Sequence, residues 1–162
     1  MNGNNLHDEL IALLEDHKAA YRLIDHAPEG RTELVSAMRG HDVKHAAKCI
    51  ILIAKLGKKT TKYVLAVIPG DRRLSFSAIK SILGATYVAF AGSDVAERLG
   101  GSPIGTILPF RFSDDLELIV DPSLQASEEI FFNAARLDRS LALKREDYFA
   151  IARPRMEHIV EM

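Results

Sequence analysis

Lys48 stands at the mouth of the strongest strand signal in the chain, after Ala46-Ala47 and before Cys49-Ile-Ile-Leu-Ile-Ala54. A lysine there either reaches out to water along its apolar stem or holds its charge in a site, where it orients a phosphate or carboxylate. Further on, Leu99–Phe110 gathers three of the ten glycines and two of the six prolines. Glycine admits positive φ and close approach to a ligand; proline fixes φ and removes a donor. The stretch is no regular helix, and Ile104, Ile107, Leu108 and Phe110 tie it to the core. It is either an ordered loop whose N–H groups face a small ligand or a tight helix-to-strand connection. Asn133 and Asp138 follow the Phe131-Phe132 pair. Polar residues there point from a strand end into a cleft, or they close a local Asx turn.

Other chemistries fit less well. Ser102 has Gly100 two residues before it but Ile104 two after, so the Gly-x-Ser-x-Gly elbow of a serine hydrolase fails. His41 and His45 would share a helix face, yet no third ligand accompanies them, so they read as surface histidines rather than a metal site. Cys49, the single cysteine, sits inside an apolar strand and reads as a small hydrophobe.

The elements that must position these residues follow from periodicity. Leu6, Leu10, Leu13 and Leu14 predict an amphipathic helix over 6–17, capped by Asn4 or Asn5. Tyr21–Asp25 is a strand, broken by His26-Ala-Pro-Glu-Gly30. A helix over 31–39 stops at Gly40, and Asp42 caps a turn through His45. The unbroken apolar run after Lys48 predicts a strand over 46–56 buried on both faces. Gly57-Lys-Lys59 turns it into an antiparallel partner, Tyr63–Ile68. Helices follow over 75–83 and 93–99, capped by Ser75 and Ser93, with a strand over 86–90 between them. Strands over 116–120, 129–132 and 140–143 and a helix over 147–153 complete the pattern. The expected architecture is a single α+β domain spanning 1–162: a curved, mixed, largely antiparallel, barrel-like sheet with surrounding helices. Residues 1–5 and 155–162 are expected to be loosely ordered tails.

The chain has 162 residues, 48% of them hydrophobic and 27% charged, as in an ordinary globular protein. No apolar run approaches the roughly 18–20 residues that span a bilayer, and the first residues lack a signal-peptide pattern. One cysteine excludes an internal disulfide, and a reducing cytoplasm is the expected location. The net charge of −1 hides an asymmetry, because Arg31–Lys80 holds eleven Lys or Arg and only three acids. Such a stretch suits a small footprint on a phosphate backbone, or simply a solvated face.

Taken together, Ala46-Ala-Lys48-Cys-Ile-Ile-Leu, Gly105-Thr-Ile-Leu-Pro109-Phe and Phe132-Asn-Ala-Ala-Arg-Leu-Asp138-Arg-Ser140, with His26-Ala-Pro-Glu-Gly-Arg-Thr upstream, resemble the YbaK/prolyl-tRNA synthetase-associated domain family. These are free-standing relatives of the prolyl-tRNA synthetase editing domain. The resemblance runs from about Leu10 to Ala152. Ala-Met-Arg-Gly at 37–40, Pro109-Phe-Arg-Phe112, the Asn133–Asp138 stretch and Leu143-Lys-Arg-Glu-Asp-Tyr148 are similar to the branch acting on seryl- and threonyl-tRNA.

The resemblance implies trans-editing, the hydrolysis of the ester joining a wrong amino acid to the 3′ adenosine of tRNA. A non-catalytic tRNA- or synthetase-binding module of the same fold is the alternative. The family's lysine falls on Lys48, and its Gly-x-x-x-Pro loop falls on Gly105, Thr106, Ile107, Leu108 and Pro109. These six are the expected catalytic set, with the loop amides at the oxyanion. Asn133 and Asp138 are expected to contact the amino acid, and Lys44, Arg72 and Arg73 the acceptor end. Many members carry a His-Pro pair where this chain has Asn133-Ala134, so no role of that histidine carries over. No cofactor and no metal are expected. The implied partners are aminoacyl-tRNA and a synthetase or elongation factor, with neither DNA nor membrane.

Overall fold

The computed structural model describes residues 3–162. Among the described residues, eight strands are interspersed with five α-helices. The central element is β2 (Ala47–Leu56), which pairs antiparallel with β3 (Thr60–Pro69) along its whole length, from Ala47 opposite Pro69 to Leu56 opposite Thr60. Its other edge takes β4 (Tyr87–Phe90). β3 in turn pairs parallel with β5 (Leu116–Val120), and β5 with β8 (Arg155–Met156), giving a five-stranded sheet in the order β4-β2-β3-β5-β8. A second, three-stranded antiparallel sheet has the order β1-β7-β6, from Tyr21–Asp25, Arg139–Lys144 and Glu129–Arg136.

The class is the expected α+β with mostly antiparallel pairing, but the strands form two open sheets instead of one barrel. A lone parallel bridge, Ala46 to Phe131, links them. Val35, on α2 (Thr32–Arg39), is buried at the same corner, where the pocket described below opens.

The run after Lys48 lacks alternation because both faces of β2 are covered. Ile51 packs into the core between the sheets with Leu65, Val67, Ile130, Phe132 and Leu141, and with Leu6, Leu10 and Leu14 of α1 (Gly3–Asp16). Leu52 faces the opposite way, into a second core with Val64, Ile119, Ile79 of α3 (Phe76–Leu83) and Ile159. Each such buried aliphatic side chain contributes about 1.5–3 kcal/mol.

Element ends follow local chemistry, with some departures from expectation. Ser75 caps α3 through the Ala78 N–H, Asp42 caps the turn at Val43–His45, and Gly40 and Gly84 stop their helices with positive φ. Helix α1 starts at Gly3, ahead of Asn4 and Asn5. Ser93 lies within α4 (Ser93–Gly100), whose cap is Gly92 and carries no side-chain bond. Gly101 ends α4 at φ 79°, whereas Gly100 is the last residue of the helix, at a position where a Cβ would lie 2.5 Å from Ile107 Cδ1.

The last helix, α5, spans Arg145–Ala152. Residues 155–162, expected to be loose, are anchored after it. Ile159 is fully buried, and the buried Asp121 carboxylate accepts the Ile159 and Val160 N–H groups. At the other end, residues 3–5 are helical, and residues 1–2 lie outside the described residues.

Candidate active site

A pocket of about 110 Å³ opens where the two sheets meet beside α2, lined among others by Gly30, Thr32, Arg39, Lys48, Gly105 and Asn133. Three chain segments converge there: the turn after β1, the start of β2, and the loop between α4 and β5.

Two glycines let the first and last of these touch. A Cβ on Gly105 would lie 3.0 Å from Gly30 Cα, and Gly105 has φ 91°. That conformation carries no steric penalty only for glycine. The loop beyond is tied by its own bonds. Thr106 N–H and Oγ1–H both donate to Pro103 O, Ser102 Oγ–H donates to Thr106 O, and Ile104 N–H donates to the Glu97 carboxylate. From below, the buried Tyr148 of α5 donates its hydroxyl to Pro109 O at 2.7 Å. The N–H groups of Gly105, Ile107 and Leu108 make no hydrogen bond among the described residues. Gly105 and Ile107 line the pocket; Thr106, Leu108 and Pro109 hold the loop from behind.

Asn133 lines the same pocket and is 5% exposed. Its amide is saturated. Nδ2 donates to Glu29 O and to Gly105 O, both at 2.9 Å. Oδ1 accepts from Arg39 Nη2 and Ser140 Oγ, also at 2.9 Å. A bulge following Asn133, with Ala135 at φ 62°, leaves Asn133 directly opposite Ser140 across the β6–β7 pair. Asn133 is thus a strut joining the two glycine-bearing segments, with no capacity left for an amino acid. Asp138 is elsewhere: it pairs with Arg136 at 2.9 Å in the exposed hairpin turn and does not reach the pocket.

Lys48 borders the pocket from the start of β2. Alternation sets Ala47 and Cys49 toward the core between the sheets and Lys48 on the side of Ile50 and Leu52. Its Nζ donates to the Arg72 carbonyl at 3.0 Å. Lys44 and Arg72 line a neighbouring cleft of about 300 Å³ with His45 and Ser127, outside the pocket. Arg73 contributes its carbonyl to Glu161 N–H and is not in the pocket wall.

The sequence reading missed Arg39. It donates from Nε to Ser140 Oγ at 2.7 Å and from Nη2 to Asn133 Oδ1, and Nη1 lies 3.4 Å from His41 Nε2. Burial pushes the guanidinium down to about 10. The Ala-Met-Arg-Gly run at 37–40 contained Arg39, as the last residue of α2 before the helix-stopping Gly40. Gly30 and Tyr148 were likewise present only as members of longer motifs.

His41 and His45 are engaged rather than free on the surface. The His41 ring stacks on Phe131 at 3.8 Å, and Nδ1–H donates to Asp42 O. Burial, reinforced by the Arg39 charge, holds His41 below its ordinary 6.5. His45 Nδ1 lies 2.7 Å from Ser127 Oγ. Burial pushes the Cys49 thiol far up despite nearby Arg39, which leaves it unsuited as a nucleophile.

A small pocket, a glycine-bearing loop with unspent amides and a half-buried cation are features that ester hydrolysis without a nucleophilic side chain can use. The chain belongs to the aminoacyl-tRNA editing domain family, whose model matches residues 26–151. It is 36% identical over 155 residues to the multifunctional Ser/Thr-tRNA deacylase ProXp-y of Escherichia coli K12, covering 95% of this chain and 92% of that one. A proline–tRNA ligase of Geobacillus kaustophilus is 34% identical over 65 residues, 40% of this chain and 12% of the ligase. Among solved structures, the protein APE2540 superposes with a TM-score of 0.83 at 20% identity, covering 94% of this chain and 99% of that one. A protein described as a candidate trans-editing enzyme for prolyl-tRNA synthetase superposes with a TM-score of 0.80 at 15% identity, covering 97% and 98%. These two likenesses establish the fold.

Proposed function

We propose that the pocket hydrolyses the ester of mischarged aminoacyl-tRNA in the cytoplasm, with seryl- and threonyl-tRNA as substrates. The observation that carries this reading is the pocket itself, about 110 Å³ and lined by Gly105 and Ile107, whose N–H groups make no hydrogen bond among the described residues. So small a space favours a short hydroxylated side chain over a long or aromatic one. Small amino acids enter and larger ones are rejected sterically. The 36% identity to a Ser/Thr-tRNA deacylase supports the same choice.

An aminoacyl ester is already reactive, so positioned donors and a water suffice. The water adds to the carbonyl carbon and the carbonyl oxygen takes the electron pair. Collapse expels the ribose oxygen, which takes up the proton lost by the water. Each donor aimed at the developing oxyanion contributes about 10²–10³ in rate. Lys48, beside the pocket, orients the terminal adenosine through its phosphate. Lys44 and Arg72, on the neighbouring cleft, meet the acceptor end, with Arg73 on the same turn. So few phosphate contacts make tRNA binding salt-sensitive and weak. A synthetase or an elongation factor then supplies tRNA selection.

A panel of aminoacyl-tRNAs incubated with the protein tests this. Release of serine and threonine ahead of larger amino acids is expected, weakened by Lys48→Ala. No hydrolysis of any species at enzyme well above substrate would leave the non-catalytic binding module as the reading.

A further inference from the structure

We infer that Arg39 is the catalytic cation of this pocket, donating to the oxyanion of the tetrahedral intermediate. This rests on the ester-hydrolysis reading above.

Among the described residues, Arg39 and Lys48 are the only charged side chains in the pocket wall, and no carboxylate lines it. The two differ in what they have left to offer. The Lys48 ammonium is turned to a backbone carbonyl beside the pocket. The Arg39 guanidinium is partly buried inside it and forms no ion pair among the described residues. Its three partners, Ser140 Oγ, Asn133 Oδ1 and His41 Nε2, are uncharged acceptors. A guanidinium has five N–H groups, so one on each terminal nitrogen remains unspent.

Such a cation is costly to hold. A buried charge without a counter-ion is a strong penalty unless an opposite charge arrives. Here the surroundings keep it fixed instead of compensating it. Ser140 and Asn133 hold two of its nitrogens, and those two residues face each other across one strand pair. His41, clamped by its stack on Phe131 and its bond to Asp42 O, stands at the third. The arriving negative charge is the carbonyl oxygen after water has added. It is absent from the neutral ester, so the interaction acts in the transition state and hardly in the ground state. A cationic wall also turns the substrate's α-ammonium away from Arg39, which leaves the carbonyl oxygen as the atom it meets.

The test pairs kinetics with binding on Arg39→Met, Arg39→Lys and, to keep the fold while loosening the guanidinium, Ser140→Ala. Hydrolysis of seryl-tRNA is measured at steady state. Binding is measured for two adenosine probes that share the α-ammonium, a 3′-seryl amide with an uncharged carbonyl and a phosphonate whose anionic oxygen mimics the tetrahedral intermediate. For Arg39→Met the expected result is a fall in kcat of about 10²–10³, with KM little changed. Phosphonate affinity falls by a similar factor and amide affinity is kept. Arg39→Lys retains only part of the phosphonate preference, and Ser140→Ala reduces it.

Several outcomes overturn the inference. One is an Arg39→Met kcat close to the parent's while the parent is active. Another is equal loss of affinity for both probes. A third is unchanged kcat with raised KM and a salt slope reduced by about one phosphate contact, which would place Arg39 on the tRNA backbone. A parent protein inactive on every aminoacyl-tRNA would instead refute the hydrolytic reading, and phosphonate-over-amide preference in the parent and its loss in Arg39→Met would still report on Arg39.

Discussion

Replacing Asn133 by aspartate keeps the side chain's shape and reverses half of its hydrogen bonding. The amide donates twice, to Glu29 O and Gly105 O. A carboxylate donates neither bond and sets an oxygen against each carbonyl. Each half-buried carbonyl left unmet costs about 1–3 kcal/mol. Against this, the contact with Arg39 becomes charge-assisted and returns about 1.5–3 kcal/mol. The net is a destabilisation of about 2 kcal/mol, or a fall in Tm of about 4–8 °C for a chain of this size. Asn133→Ala leaves all four partners unmet without compensation and is destabilised further, by about 4 kcal/mol or more. Activity should run in the opposite order. Aspartate cancels the Arg39 charge, whereas alanine leaves it. Thermal unfolding and seryl-tRNA hydrolysis on the same three proteins check this. An aspartate variant that unfolds with the parent, or that hydrolyses faster than the alanine variant, would refute the assignment of Asn133 as a strut beside a working cation.

Gly105→Ala should abolish hydrolysis, because a Cβ there meets Gly30 at 3.0 Å on top of the strain of φ 91°; Gly57→Ala, at φ 73° with nothing within 4 Å, should cost only the strain and leave hydrolysis intact. Tyr148→Phe leaves the Pro109 carbonyl unmet and should lower stability by about 1–3 kcal/mol, read by urea unfolding, with a slower kcat from a looser loop. His41 is held below 6.5 in the folded state by burial and by Arg39. Below 6.5 the unfolded chain therefore takes up a proton that the folded chain declines, and stability drops as pH falls from 6.5 through the folded value. His41→Phe should flatten that part of the urea-unfolding profile between pH 7 and 5; an unchanged profile would count against the stack as its source.

Local patterns carried the elements well. The apolar run behind Lys48 predicted a doubly buried strand, and Asp42, Ser75, Gly40 and Gly84 marked ends that the structure places within a residue. Ser93 misled because a serine inside the first turn and one at the cap look alike in sequence. Two open sheets replaced the expected barrel because closure depends on register and bridging, and no run of residues records the Ala46–Phe131 bridge. At the site, glycines and the loop proline were legible from residue type alone. Asp138 was not distinguishable from Asn133, since only the strand ends decide that Asn133 lies within β6 and Asp138 in the turn after it. Arg39 was hidden because its partners lie about a hundred residues away.

That separation bears on how the site comes into being. Arg39 meets Ser140 across 101 positions, and Asn133 meets Glu29 across 104. The loop carrying Gly105 lies within the crossover between β3 and β5, which close in parallel only after 116–120 is in place. Chain closure of that span must be met before any of these bonds forms. A nascent chain released before β6 thus has two glycine-bearing segments with nothing to join them. Hydrolytic competence arrives late in folding, and any partial opening that frees β6 from β7 ends it before the rest of the molecule unravels.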